Sequence, residues 1–373
     1  MKICVYAIAK NEIKHVDRFC DAAKDADYIA VLDTGSTDDT VEKLKARGCI
    51  VEREIIDPWR FDVARNKSME LIPEDTDVCL CLDLDEVLQP GWREELEKNW
   101  NDAEIGRYVC IWGRNGDGTP RTSFVRDKLH ARGAVRWIYP VHEVVEYTGE
   151  GNPRRVEIPT LQAEHIPDQF KSRAEYLPLL ELAAQENPED ARSAHYLGRE
   201  YMYRQRWEDA IRELRRHLGL KSATWLDERA ASMRYISECC QEMGDENGAL
   251  AWAFRAISEQ PALRECWYQA EKACYFAADW PGVCYFGERA ASITTRSAGG
   301  INEAEAWGAA VYDLLSLGYW FMGNIEGAIE NGEIALKLDP GSERLQKNVE
   351  CYRERRENRE RQAEKIQDEK SAE

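Results

Sequence analysis

The periodicity of the apolar residues changes once along this 373-residue chain, and that change limits what it can fold into. Up to about residue 165 the apolar runs are short, β-like and separated by Gly, Pro and Asp. After Phe170, Ala, Leu, Glu, Arg and aromatic residues recur at helical spacing with few breakers. The length suits two domains. The change of pattern divides the chain into 1–168, 169–345 and a charged tail, 346–373, which reads as helical or disordered.

Strand-like and helix-like runs alternate through the first part. "KICVYAIA" (2–9), "YIAVLDT" (28–34), "CIVEREI" (49–55) and "DVCLCLDLDE" (77–86) read as strands, with helical spacing between them. This β-α-β-α-β-α-β order predicts a parallel sheet covered by helices, with ligands outside the carboxyl ends of the strands. Two of these strands end on acids. In "VLDTGSTDDT" the strand stops at Asp33, Gly35 permits a tight turn, and Ser36, Thr37 and Asp38 offer caps for the next helix. Asp33 either faces a ligand or closes that turn. In "DLDE", Asp83 and Asp85 are two apart, so an extended backbone puts both on one face, within reach of one cation. Mg²⁺ and Mn²⁺ favour a few carboxylates plus substrate phosphates.

"AIAKNE", "VLDTGSTDDT", "FDVARNKSMELI" and "LDLDE", in this order, resemble the nucleotide-sugar half of the family-2, GT-A-fold glycosyltransferases, strongly over 2–90 and weakly over 91–165. The resemblance implies an α/β GT-A (Rossmann-like) domain. It implies that Ala9, Lys10 and Asn11 border a nucleotide, that Asp33 contacts its base or ribose, and that Arg65 approaches the donor. It further implies that Asp83 lies near ribose and metal, that Asp85 ligates Mn²⁺ or Mg²⁺, and that His165 supplies a third ligand. A "VHE" element follows the DxD in related sequences. Here it is His142–Glu143 within "VRWIYPVHEVVEY" (135–147), which reads as a strand, with Glu143 as base and His142 as its orienter. Trp112, Trp137 and Tyr139 are either a sugar platform or core. "RNGDGTPRT" (114–122) lacks phosphate-loop spacing and reads as a hairpin turn.

The second part is punctuated by Pro188, Pro261 and Pro340, at intervals of 73 and 79 residues, and half of either interval is slightly above the tetratricopeptide (TPR) period. "AHYLGREYMYRQRWEDAIREL" and "LLSLGYWFMGNIEGAIENGEIALKLDP" resemble that repeat, so an all-α, TPR-like array of four helix pairs is expected. Such an array presents a concave surface for a peptide, protein or other acceptor, or for a second copy of the chain as a homodimer.

The net charge of −19 disfavours a generic nucleic-acid binder. Twelve cysteines without a CxxC pair read as reduced thiols in a cytoplasmic protein. No leader is read before the first strand, and no apolar run is long enough to span a bilayer.

Together these features point to a metal-dependent glycosyltransferase. It would move a sugar from a nucleotide-diphosphate donor, UDP being the common carrier, to an acceptor held by the repeats. A fusion of this kind resembles the sublancin-type peptide S-glycosyltransferases, and inversion is the family expectation. Two alternatives stand beside it: a non-catalytic TPR interaction protein with a vestigial GT-A domain, and a phage-type transferase acting on modified DNA bases.

Overall fold

The computed structural model describes residues 1–114, 118, 120–166, 176–297 and 301–372. It consists of two compact units, Met1–Ala183 and Ala184–Glu373. The boundary expected at residue 168 and the centre of the 114–122 turn lie outside the described residues.

The first unit runs β1 (Ile3–Ala9), α1 (Val16–Ala22), β2 (Tyr28–Asp33), α2 (Thr40–Ala46), β3 (Ile50–Arg53), α3 (Phe61–Glu70) and β4 (Val78–Cys81). It continues with β5 (Glu86–Leu88), α4 (Trp92–Asn99), β6 (Ile105–Arg114), β7 (Pro120–Ala131), β8 (Val135–Ile138), β9 (Val144–Tyr147) and β10 (Arg155–His165), followed by α5 (Tyr176–Glu186). β1 and β4 are unbroken apolar runs because both of their faces are covered. Alternate residues of β1 feed different cores. Ile3, Val5 and Ala7 pack with Phe19, Leu80 and Leu96. Cys4 and Tyr6 pack with Cys79, Cys81 and Trp137.

The sheet has eight strands in the order β3-β2-β1-β4-β7-β6-β10-β5. β3, β2, β1 and β4 are mutually parallel. β7 then runs antiparallel to both β4 and β6, β10 runs parallel to β6, and β5 closes the edge antiparallel to β10. The α/β alternation behind the expected GT-A (Rossmann-like) domain therefore extends only through β4. Beyond it the sheet is of mixed direction, so the expectation of a parallel sheet wound with helices is corrected. The physical reason is connectivity: no helix intervenes between β6 and β10 among the described residues, and strands joined by short turns return antiparallel.

The second unit is helical: α6 (Ala191–Tyr203), α7 (Trp207–Gly219), α8 (Leu226–Glu242), α9 (Glu246–Glu259), α10 (Arg264–Phe276), α11 (Trp280–Ser292), a 3₁₀ turn (Ala304–Trp307), α12 (Ala309–Phe321), α13 (Ile325–Leu338) and α14 (Glu343–Ala372). Helices α6 to α13 form four pairs. Each pair turns on one left-handed residue, Gln205, Gly244, Ala278 or Gly323, with φ of 59°, 77°, 52° and 77°. In the last three, the next residue caps the following helix: Asp245, Asp279 and Asn324 accept from the backbone N–H groups of Gly248, Gly282 and Gly327. These turns are 39, 34 and 45 residues apart. The long last interval contains Ile293–Gly308, which joins α11 to α12, whereas Gln260–Leu263 suffices between α9 and α10. The charged tail begins inside α14, whose first turns bury Leu345, Val349 and Tyr352.

The cap at α11 can be tested directly. Asp279→Ala leaves the N–H of Gly282 without its side-chain partner, and is expected to cost about 1 kcal/mol. A urea melt should show a lower midpoint at unchanged slope; an unchanged midpoint contradicts the assignment.

Candidate functional site

Burial on α3 follows the helical period, and Arg65 lies on its buried face with Ala64 and Ser68. From there the guanidinium donates from Nε to Glu143 Oε1 at 3.1 Å and from Nη2 to Asp83 Oδ1. Lys128, on β7, donates to Asp83 Oδ2 at 2.8 Å and to Glu86 Oε2 at 3.4 Å. Glu86 also accepts from the backbone N–H of Asp83 at 3.0 Å. Burial would raise the Asp83 carboxyl, but Arg65 and Lys128 outweigh it and hold that carboxyl well below the usual range. Burial likewise pulls Lys128 down, while Asp83 and Glu86 keep it above its ordinary value.

The other predicted residues fall in two separate places. Asp33 is fully buried and accepts from the N–H groups of Gly35 (3.1 Å) and Ser36 (3.0 Å). Ser36 Oγ accepts from Asn11 N, Asn11 Oδ1 accepts from Thr37 N, and the Ala9 carbonyl accepts from Thr34 N. Asp33 therefore closes the turn after its strand, while Lys10 is exposed. At the opposite edge of the sheet, His165 Nε2 is 3.4 Å from Asp85 Oδ2, and its ring stacks on Trp112 at 4.2 Å. Trp137 is core and donates from Nε1 to Tyr6 Oη at 2.9 Å, whereas Trp112 is exposed.

Two local expectations are corrected. The strand that should have aligned Asp83 with Asp85 ends at Cys81, so both acids sit in a turn where alternation no longer applies. The stretch 135–147 is a hairpin, not one strand: β8 and β9 pair antiparallel around a turn with positive φ at Tyr139 (77°) and His142 (53°). Glu143 thereby turns to Arg65, and His142 stands 5.7 Å from the Tyr176 ring. Among the described residues no three His, Cys, Asp or Glu side chains are placed to hold a metal ion. Asp83 is taken by two cations and Asp85 faces His165, so the residues do not fit the expected Mn²⁺ or Mg²⁺ centre. Lys128 and Glu86 were missed. The period-two run Arg126, Lys128, His130 was the available signal, because it places three basic residues on one strand face.

The second candidate is the face of the first helices of each pair. Arg192 and Arg199 stack on Tyr196 of α6, at 4.7 and 4.5 Å from its ring centroid. α8 contributes Arg234 and Tyr235, both buried, and α10 contributes Arg264, Glu265 and Glu271, also buried. A line of charges on helices that elsewhere bury small apolar residues marks this face as the unusual surface of the unit.

No family model and no curated protein matches the chain. Among solved structures it is similar to MamA of Desulfovibrio magneticus RS-1, at 16% identity over 48% of this chain and 92% of that one, with a TM-score of 0.38. It is similar to PilF of Pseudomonas aeruginosa at 14% identity, over 48% and 72%, with a TM-score of 0.37. YrrB, a TPR protein with an unusual peptide-binding site, matches at 14% identity over 48% and 81%, with a TM-score of 0.36. The second unit is an all-α array of helix pairs, as expected for TPR-like repeats. The expected family-2 glycosyltransferase identity and its enzymatic activity are corrected, since no family model and no curated protein supports them.

Two predictions follow from the charges. Arg65→Met leaves the Glu143 carboxylate buried without its cation and should destabilise the first unit by about 3 kcal/mol, read from chemical denaturation. Wild-type stability would show that the ion pair contributes nothing.

Glu271 is fully buried, and neither of its oxygens has a hydrogen-bond partner among the described residues. Burial raises its carboxyl well above the usual range, opposed by Arg264 and reinforced by Asp313. The folded chain thus keeps a proton that the unfolded chain releases near pH ~4.3. Its stabilising contribution is complete below that pH and is lost as pH rises through the folded value. Glu271→Gln should therefore gain thermal stability relative to wild type as pH rises above about 4.3. A pH-independent difference in Tm refutes this.

Proposed function

We propose that this chain is a non-catalytic interaction protein that holds a peptide or protein segment against the first helices of its repeats. The observation that supports this reading is the row formed by Arg192, Tyr196, Arg199, Arg234 and Tyr235 on α6 and α8. Scaffold helices gain nothing from burying charge, which costs free energy unless it is matched. Arg and Tyr are also the residues that concentrate binding energy at protein interfaces, because they offer large contact area together with hydrogen-bond donors. The stacked pairs Arg192–Tyr196 and Arg199–Tyr196 hold both guanidinium groups over one ring, which limits the entropy lost on binding. We read the ion-pair cluster around Arg65 as fixing the turn after β4 and the β8–β9 hairpin, not as a reaction centre. The twelve free cysteines suit a reducing compartment such as the cytoplasm. No helix among the described residues is long and apolar enough to cross a membrane.

A random-peptide display library, selected on the full chain, tests this reading. Enriched peptides should compete for one site and lose about 30-fold or more in affinity on Tyr196→Ala or Arg199→Glu, measured by fluorescence anisotropy. No enrichment, or binding indifferent to both substitutions, would refute it.

A further inference from the structure

The connection between α11 and α12 is far longer than a turn requires, and its described end, Ile301–Trp307, lies against α8 and α10. The Glu303 carboxylate stands 3.2 Å from Arg234 Nη2. Its backbone N–H points to Glu265 Oε1 at 3.4 Å, and Trp307 Nε1 donates to the same oxygen at 2.6 Å. The Tyr268 hydroxyl donates to Glu305 Oε2 at 3.4 Å. The Trp307 ring lies 5.1 Å from the guanidinium carbons of both Arg264 and Arg296. The segment thus presents a carboxylate, a backbone donor and an aromatic ring to the face where the proposed partner segment would bind.

The fit at its centre is poor. Arg234 is 1% exposed, yet none of its three guanidinium nitrogens makes a hydrogen bond among the described residues, although Glu303 is within ion-pair distance. A guanidinium carries five donors in a planar fork that suits a bidentate carboxylate. Leaving those donors unmet in a buried place is costly. Glu238 and Glu265 also repel the Glu303 carboxylate, which is half-buried and, through burial first, raised above its usual range.

We propose that Asn302–Trp307, "NEAEAW", is a built-in occupant of a site whose intermolecular ligand is an acidic partner segment, with a carboxylate four residues before an aromatic ring. Arg234 anchors that carboxylate, Glu265 receives backbone and indole N–H groups, and Arg264 and Arg296 flank the ring. The inference rests on the reading of the repeat face as a peptide site, and adds the chemistry of the peptide and its competitor within the chain. Charge complementarity is local. The chain is acidic overall, but Arg192, Arg199, Arg234 and Lys272 lie on the first helices, and at physiological salt the Debye length of about 8 Å screens the distant acids.

A fluorescein-labelled synthetic peptide, Ile-Asn-Glu-Ala-Glu-Ala-Trp, copied from 301–307, is titrated with the full chain and followed by anisotropy. Wild type should bind weakly, since its site is occupied. Glu303→Gln combined with Trp307→Ala should bind about tenfold or more tightly, as release of the occupant raises the competent fraction. Glu303→Gln alone, which keeps the shape of the side chain, should gain about threefold and serves if the double variant does not fold. Adding Arg234→Gln, or replacing both glutamates of the peptide by Gln, should abolish the gain. Equal affinity for wild type and both released variants overturns the proposal, as does equal binding of a peptide with Lys in place of Glu. If library-selected peptides bind through Arg199 while this probe neither binds nor competes, the further inference fails and the peptide-binding reading stands. If no peptide of either kind binds, both fail.

Discussion

A buried guanidinium must be met by anions, and two such groups organise this molecule. Arg65 in the first unit is met by two carboxylates, Asp83 and Glu143, with only its Nη1 lacking a partner among the described residues. To do so it draws the turn after β4 towards the β8–β9 hairpin, tying residues 60–70, 83 and 143 into one cluster. Arg234 in the second unit is met only in part, by the Glu303 carboxylate. The two differ in energetics. A satisfied buried pair costs little in the folded state and resists change, because breaking it exposes the full desolvation penalty of the remaining partner. A half-satisfied one leaves a site that a better ligand can improve.

The polar groups of the first unit behave alike once their partners are named. Asp33 spends its oxygens on the N–H groups of its own turn, and Asp83 spends both of its oxygens on cations. Acids at strand ends are therefore compatible with two roles, ligand contact or turn closure. His165 has Asp85 and Trp112 as neighbours, its Nε2 3.4 Å from Asp85 Oδ2 and its ring stacked on Trp112.

The repeats show how a linker becomes part of a surface. The intervals between equivalent left-handed turns are 34 residues where the connection is minimal and 45 where Ile293–Gly308 intervenes. The described end of that connection, Glu303–Trp307, lies against charged side chains of α8 and α10. Burial of Arg264 and Glu265 on α10 thus depends on the chain's own connection as well as on helix packing.

The strands β1 to β4, the alternating helices and the helical character of the second unit were legible in the chain, because period-two and period-3.6 burial write themselves directly into the order of apolar residues. The capped turns were equally local, since Asp245, Asp279 and Asn324 bond within three residues. Strand direction beyond β4, the hairpin that turns Glu143 to Arg65, and the pairing of Lys128 with Asp83 were decided only by tertiary structure. Each joins residues dozens of positions apart, and the free energy that selects them, desolvation balanced against charge pairing, depends on distance and burial that no sequence spacing encodes. The same holds for Glu303. In the sequence it is one acid among many in an acidic chain, and only the fold places it against the buried cation of α8.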